Sequence, residues 1–202
     1  MTSWIQMLAD DEASVDLKEA LNEARTPHGT VDNVMRVHSL RPSTMRGHVR
    51  LYRAVLHDDA NTVPMWLQEV IASYVSVLND CDYSFSNHWA NARHLLLTQR
   101  GTEAPLADEI EIALKDDAPE RVFESGELTM LRYARKLTRE PGRMIEGDIK
   151  AMRSEGIDDG QILEVNQIVG YFNYVNRLLN GLGVTLDGDI VGYYADGSED
   201  AA

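Results

Sequence analysis

The chain of 202 residues has one cysteine, Cys81, so it can form neither an intrachain disulfide nor a cysteine-rich zinc site. Basic residues are scarce too: 19 Lys and Arg against 33 Asp and Glu leave a formal charge of −14 with His neutral. A surface that acidic repels phosphate backbones and anionic lipid headgroups, which argues against a nucleic-acid or membrane partner. Long apolar runs are missing as well. The longest segment without a charged side chain, Val165 to Asn176, falls short of the ~18–20 apolar residues of a membrane span. Met1 to Asp16 holds no Lys or Arg and four acids, so a secretory signal is not expected and a cytoplasmic location is.

What is present is ordinary for a folded globular protein, with 44% hydrophobic and 26% charged residues. The length fits one domain, large enough to bury a core without disulfide or metal staples. Apolar residues recur at helical spacing nearly throughout. Leu17, Leu21 and Ala24 predict a first helix, ended by Thr26-Pro27-His28-Gly29. Val31 to Leu40 is a short apolar stretch, after which Ser43 is placed to cap a helix carrying Met45, Val49, Tyr52 and Leu56. Pro64 suits a first turn, followed by the stripe Leu67, Ile71, Tyr74, Leu78. No Gly or Pro separates Pro64 from Arg100, so a break is expected at Asn79-Asp80, either residue capping a new helix from Cys81 to Gln99. Further helices fit Leu106–Lys115, Glu127–Arg139, Glu146–Ser154 and Gln161–Leu182. Nothing alternates as a strand does, and the fold class is all-α.

Chemistry-bearing residues cluster around Cys81. On a helix starting near Asp80, Cys81, Ser84 and His88 share one face. A cysteine in the first helical turn lies where the dipole and free N–H groups favour a thiolate. Glu69, on the preceding helix, faces the same side if the two helices pack antiparallel. Together they supply a carboxylate to orient an imidazole, an imidazole to move a proton, and a thiol or hydroxyl to react. Taken singly, each has a plainer role: a lone cysteine is ordinarily a small buried hydrophobe, His88 a packed or surface histidine, Glu69 a solvated helix residue. Asp80 and Asp82 oppose thiolate formation.

The spacing from Glu69 to Cys81, Ser84 and His88 resembles the active-site pattern of the alkylhydroperoxidase D (AhpD) and carboxymuconolactone decarboxylase superfamily. That pattern is Glu, eleven residues, Cys, two residues, Cys, three residues, His; here it runs Glu69…Cys81-Asp-Tyr83-Ser84…His88. Gly29-Thr-Val-Asp-Asn33-Val-Met-Arg-Val and Arg41-Pro42 are similar to the family's N-terminal helix. Gly170-Tyr-Phe-Asn173-Tyr-Val-Asn176-Arg177, followed by Gly181-Leu-Gly-Val, is similar to the closing helix of its peroxidase-related branch. The resemblance covers residues 27–186 and leaves an N-terminal helical segment, 1–26, and an acidic, loosely ordered C-terminal tail, 187–202.

The resemblance implies a single-domain AhpD-like helical bundle, assembled as a homo-oligomeric trimer or hexamer. It also implies a thiol-dependent, peroxiredoxin-like antioxidant oxidoreductase that uses no haem, metal or other cofactor. Its substrate would be a hydroperoxide or another small molecule and its reductant an external thiol, with Glu69 and His88 as proton relay and Cys81 as the thiol. Ser84 stands where the family has its second cysteine, the one nearest the histidine and expected to meet peroxide. A hydroxyl has no place on the sulfur oxidation ladder, so the two-cysteine cycle is closed to this chain.

Three readings remain. Cys81 acts alone through a sulfenic acid that an external thiol resolves, which requires an accessible thiol titrating below ~8.5. Alternatively, the scaffold carries a non-redox, decarboxylase-like acid–base enzyme using His88 and Glu69. The third is a pocket or oligomer protein without catalysis. A Ser84–His88–Glu69 hydrolase triad is the weaker fit, because no Gly-x-Ser-x-Gly elbow surrounds Ser84 and no oxyanion hole is identifiable. His57-Asp58-Asp59 is expected to be a solvated turn rather than a ligand set. Asn173, Asn176 and Arg177 are expected to bond between helices or subunits, and Tyr83 and Trp89 fit core, interface or substrate contacts alike.

Overall fold

A computed structural model describes residues 1–194. In chain order the helices are α1 (Val15–Glu23), α2 (Asn33–Arg36), α3 (Pro42–Leu56), α4 (Met65–Leu78), α5 (Asp82–Thr98), α6 (Ala104–Lys115), α7 (Ser125–Arg139), α8 (Glu146–Ser154) and α9 (Asp159–Leu182). Single 3₁₀ turns at Pro119–Arg121 and Pro141–Arg143 bracket α7. No strand occurs among the described residues, so the all-α expectation holds. None of the helices among them is long and apolar enough to cross a membrane.

The most apolar helix takes the centre. α4 is buried on nearly every side, as an all-round hydrophobic helix must be, and it packs against α5, α6, α7 and α9. Tyr74 on α4 and Phe172 on α9 are fully enclosed, each such side chain contributing about 1.5–3 kcal/mol. A smaller cluster of Leu17, Leu21, Val31, Met45 and Val49 fastens α1 to α3.

The helix ends follow local chemistry. Ser14 caps α1, its hydroxyl accepting from Leu17 N at 3.2 Å. The cap expected at Ser43 lies two residues earlier, at Arg41, because Pro42 occupies the first helical position, where its missing N–H costs nothing. The expected break between α4 and α5 is there, but neither Asn79 nor Asp80 caps α5. Asn79 ends α4, Asp80 turns through a left-handed φ of +50°, and Cys81 itself is the N-cap. Asp80 suits that turn because a short polar side chain tolerates the left-handed region. A capping box at Asp158 and Gln161 starts α9.

Beyond α9 the chain folds back over the bundle. Asp189 accepts from Asn33 N at 3.0 and 3.1 Å and from the Tyr83 hydroxyl. Gly192 N donates to Asn87 Oδ1 at 3.2 Å and Tyr193 N to Asn91 Oδ1 at 2.7 Å. Residues 187–194 are therefore tied down, contrary to the looseness suggested by their Gly and Asp content, since these bonds come from residues more than a hundred positions away in the chain. Residues 195–202, the rest of the expected tail, lie outside the described residues.

Gly183 closes α9 at φ +58°, and a Cβ added there would run into the Trp4 ring. Gly183→Ala is expected to cost about 1 kcal/mol for the left-handed backbone alone, plus a steric part. In urea titrations, Trp4→Ala should relieve the steric part in the double variant and leave the backbone part; a Gly183→Ala protein as stable as the parent would refute the assignment.

Candidate functional site

Four polar side chains sit inside the apolar surface of α4, and each is satisfied. Gln68 donates to Val63 O, while the hydroxyls of Ser73 and Ser76 bond back to Glu69 O and Ala72 O. Glu69 carries a carboxylate that is only 2% exposed, tenable because it is paired. Its Oε2 lies 2.6 Å from His88 Nδ1, and its Oε1 accepts from Asn91 Nδ2 at 3.3 Å. An ionised carboxylate only accepts, so Nδ1 carries the proton and Nε2 is the ring nitrogen left for other work. The His88 ring stands edge-on to Phe172 with centroids 4.6 Å apart. Ser84, His88 and Asn91 fall at i, i+4 and i+7 on α5, one face turned toward α4 and α9.

Cys81 lies at the start of that face but inside the protein, 1% exposed. Burial pushes its thiol up from the ordinary value; the Ser84 N–H and the Asn176 side chain pull the other way, and Asp82 adds to the rise. The accessible, acidified thiol expected for a lone active cysteine is thus not found. As the N-cap it has its sulfur between the Ser84 N–H of the first turn and the Asn176 side chain of α9.

A small inner cavity, with about 50 Å³ of room for the centres of water-sized molecules, meets this face. Its lining includes Ser84, Asn87, His88 and Asn91 from α5, with Tyr171, Val175 and Leu179 from α9. Tyr52, Tyr83, Asp32 and Tyr193 add to the walls; Cys81 is not among the lining residues. An outer hollow shares Asp32, Val34, Met35, Tyr52 and Tyr193 with it and adds His57, Arg25 and Arg53.

Tyr171 is wired to the surface. Its hydroxyl lies 2.8 Å from His48 Nε2, His48 Nδ1 3.0 Å from His38 Nε2, and His38 Nδ1 3.0 Å from Thr44 Oγ1. Burial lowers both histidines, His48 to about 3, so both are neutral at pH 7. Thr44 donates its own proton to Arg41 O and so accepts from His38 Nδ1. Because a neutral imidazole has one donor and one acceptor, the direction propagates: His48 Nδ1 donates to His38, and the Tyr171 O–H donates to His48 Nε2. The Tyr171 oxygen is left as an acceptor.

Sequence reasoning missed Asp32, Tyr171, His48 and His57. They come from different elements and share no local spacing. Asp58 and Asp59 do form an exposed turn, but His57 folds inward. Among the described residues no three His, Cys, Asp or Glu side chains are placed to share a metal ion. Asn79, Asn173 and Asn176 meet as expected of bonds between helices: Asn79 Nδ2 donates to Asn173 Oδ1 at 3.2 Å and Asn176 Oδ1 at 3.1 Å. Tyr83 bonds through its hydroxyl to Val34 N and Asp189, and Trp89 Nε1 donates to Glu111.

No protein-family model and no curated protein matches the sequence significantly. Solved structures do. An uncharacterized peroxidase-related protein from Ralstonia eutropha JMP134, described as an alkylhydroperoxidase AhpD core, superposes with a TM-score of 0.78 over 94% of both chains at 21% identity. The fold is that of the AhpD core. A peroxidase-related protein from Silicibacter sp. TM1040 shares this AhpD fold at a TM-score of 0.76, 20% identity and 93% of each chain. So does the debrominase Bmp8, at 0.69 and 14% identity over 93% of this chain and 92% of its own. A Bmp8 variant with an alanine in place of a cysteine has been solved with 2,3,4-tribromopyrrole.

Two outcomes follow from the buried groups. Cys81 should resist iodoacetamide at pH 8 in the folded protein and react promptly in denaturant; equal rates in both states would contradict its burial. Asp32 has a carboxyl raised to about 6, first by burial and then by Asp189. Its folded pKa exceeds the unfolded ~3.9, so the folded state binds the proton more tightly and this contribution to stability falls as pH rises between the two values. Denaturant midpoints should show Asp32→Asn losing that part of the slope, and unchanged slopes would contradict it.

Proposed function

We propose that this AhpD-fold protein is a non-redox acid–base enzyme acting on a small molecule held in the inner cavity, with His88 as the proton-transfer group and Glu69 as its orienting carboxylate. One observation carries the reading: the cavity reaches Ser84 and His88 while the single thiol lies outside its lining and is 1% exposed. His88 Nε2 takes a proton from the substrate, or returns one, and Glu69 stabilises the imidazolium by keeping the Nδ1–H bond throughout. Ser84 Oγ, one turn away, is placed to hydrogen-bond the substrate. Tyr193, its backbone N–H held by Asn91 Oδ1, lines both the inner cavity and the outer hollow. That the same scaffold serves a debrominase as well as peroxidase-related proteins supports a fold open to more than one chemistry.

The test is exchange of substrate C–H for solvent deuterium across a panel of small cyclic β-keto acids and lactones, followed by proton NMR. His88→Ala should reduce exchange by about 10²–10⁴-fold, whereas Cys81→Ala should leave it near the parent rate. Loss in Cys81→Ala with retention in His88→Ala would overturn the reading.

A thiol peroxidase is the second reading. It is favoured by the peroxidase-related neighbours and by the Ser84 N–H and Asn176 groups on the Cys81 sulfur. The thiolate would break the O–O bond of a hydroperoxide, releasing an alcohol and forming a sulfenic acid, which two equivalents of an external thiol would reduce with loss of water. Peroxide consumption that requires Cys81 and a thiol reductant would establish it.

A further inference from the structure

Buried polar atoms in folded proteins nearly always have partners, so each exception calls for an explanation. Among the described residues two buried side-chain atoms have none, Asp32 Oδ1 and His57 Nε2. They are distant in sequence, one from the turn before α2 and one from the end of α3, yet both line the same outer hollow. Asp32, 9% exposed, also lines the inner cavity beside His88 and Tyr171. Two unrelated orphans on one chamber wall are what a site looks like when its ligand supplies the missing bonds.

The polarity of the wall specifies that ligand. A carboxylate oxygen only accepts, so Asp32 Oδ1 calls for a donor on the ligand. His57 Nε2 is a further open ring nitrogen. Around them stand aromatic rings: Tyr52 contacts Tyr193 at 6.4 Å and His57 at 4.9 Å between centroids. Cavities lined by rings with a few convergent polar atoms suit flat molecules whose polar edge is fixed in one direction.

We infer that the outer hollow binds a small hydroxylated ring compound, an O–H group received by Asp32 Oδ1 and its edge contacted by His57 Nε2. The inference rests on reading the inner cavity, which shares Asp32, Tyr52 and Tyr193 with this hollow, as the substrate chamber, and it adds the substrate class. Asp32 and His57 are then ligand-binding residues kept in spite of the stability they cost the empty protein.

Calorimetric titration with catechol, and with anisole as a ring of similar size lacking a donor, tests this alongside thermal melts. The parent should bind catechol about tenfold or more tightly than anisole, the difference expected of one or two well-made hydrogen bonds. Asp32→Leu and His57→Leu should each abolish most of that preference and raise the melting temperature, because each removes an unpaired buried group. Equal binding of the two rings, no binding of either, or a preference unchanged in both variants would overturn the inference. So would a lowered melting temperature in both variants, which would mark the two residues as structural. If Asp32→Leu does not fold, His57→Leu decides alone. Repeating the titration on His88→Ala separates this claim from the functional one. Catechol preference persisting where no proton transfer at His88 is ever found sinks only the functional reading, while active His88 without the preference sinks only this one.

Discussion

A carboxylate placed inside the central helix is the constraint around which the rest is arranged. Glu69 is 2% exposed on a helix that is buried nearly all round, and an unpaired charge there would be strongly destabilising, by about 3–5 kcal/mol if one partner were removed. The pairing requires His88 to lie directly opposite. That in turn requires α5 to run back along α4, hence the tight reversal at Asn79 to Cys81 with its left-handed Asp80. Asn180 Nδ2 fastens this reversal by donating to Asn79 O at 2.9 Å, and Asn176 joins Asn79 to Ser76. The asparagines on α9 therefore serve the site at one remove, by fixing the turn that brings His88 to Glu69.

The same turn settles the fate of the thiol. With Cys81 at the N-cap and not in the first turn, its sulfur falls between α5 and α9 and is buried, while Ser84 takes the place on the cavity wall. Both residues are buried, but only Ser84 lines the cavity. Around the cavity and the outer hollow the polar groups are either committed, as in the chain from Tyr171 through His48 and His38 to Thr44, or left open, as at Asp32 and His57. Neutral buried histidines in such a chain rigidify the wall, because their donors and acceptors are all assigned.

Much of this was legible in the sequence where the signal is local. Helical spacing placed eight of the nine helices of the described residues to within a few positions, and the i, i+4 relation of Ser84 and His88 follows from spacing alone. The pairing of Glu69 with His88 needed the antiparallel packing of two helices, which the family-like spacing pointed to. Other features depend on contacts between distant segments. Asp32, His57 and Tyr171 converge from a turn and two helices; Asp189 looked like part of a loose acidic tail until Asn33 and Tyr83 bound it. The burial of Cys81 turned on a single residue of register at a helix start, finer than periodicity resolves.

The central claim is that the chamber's chemistry belongs to the Glu69–His88 pair and not to the thiol. Long-range proton–nitrogen NMR of His88, with the Cys81 Cβ carbon followed in the same sample, tests it most directly as phenol is added. The account predicts a His88 ring protonated at Nδ1, an Nε2 resonance that moves on phenol binding, and a Cys81 signal that does not move. A Cys81 signal that responds while both His88 nitrogens stay still would contradict it.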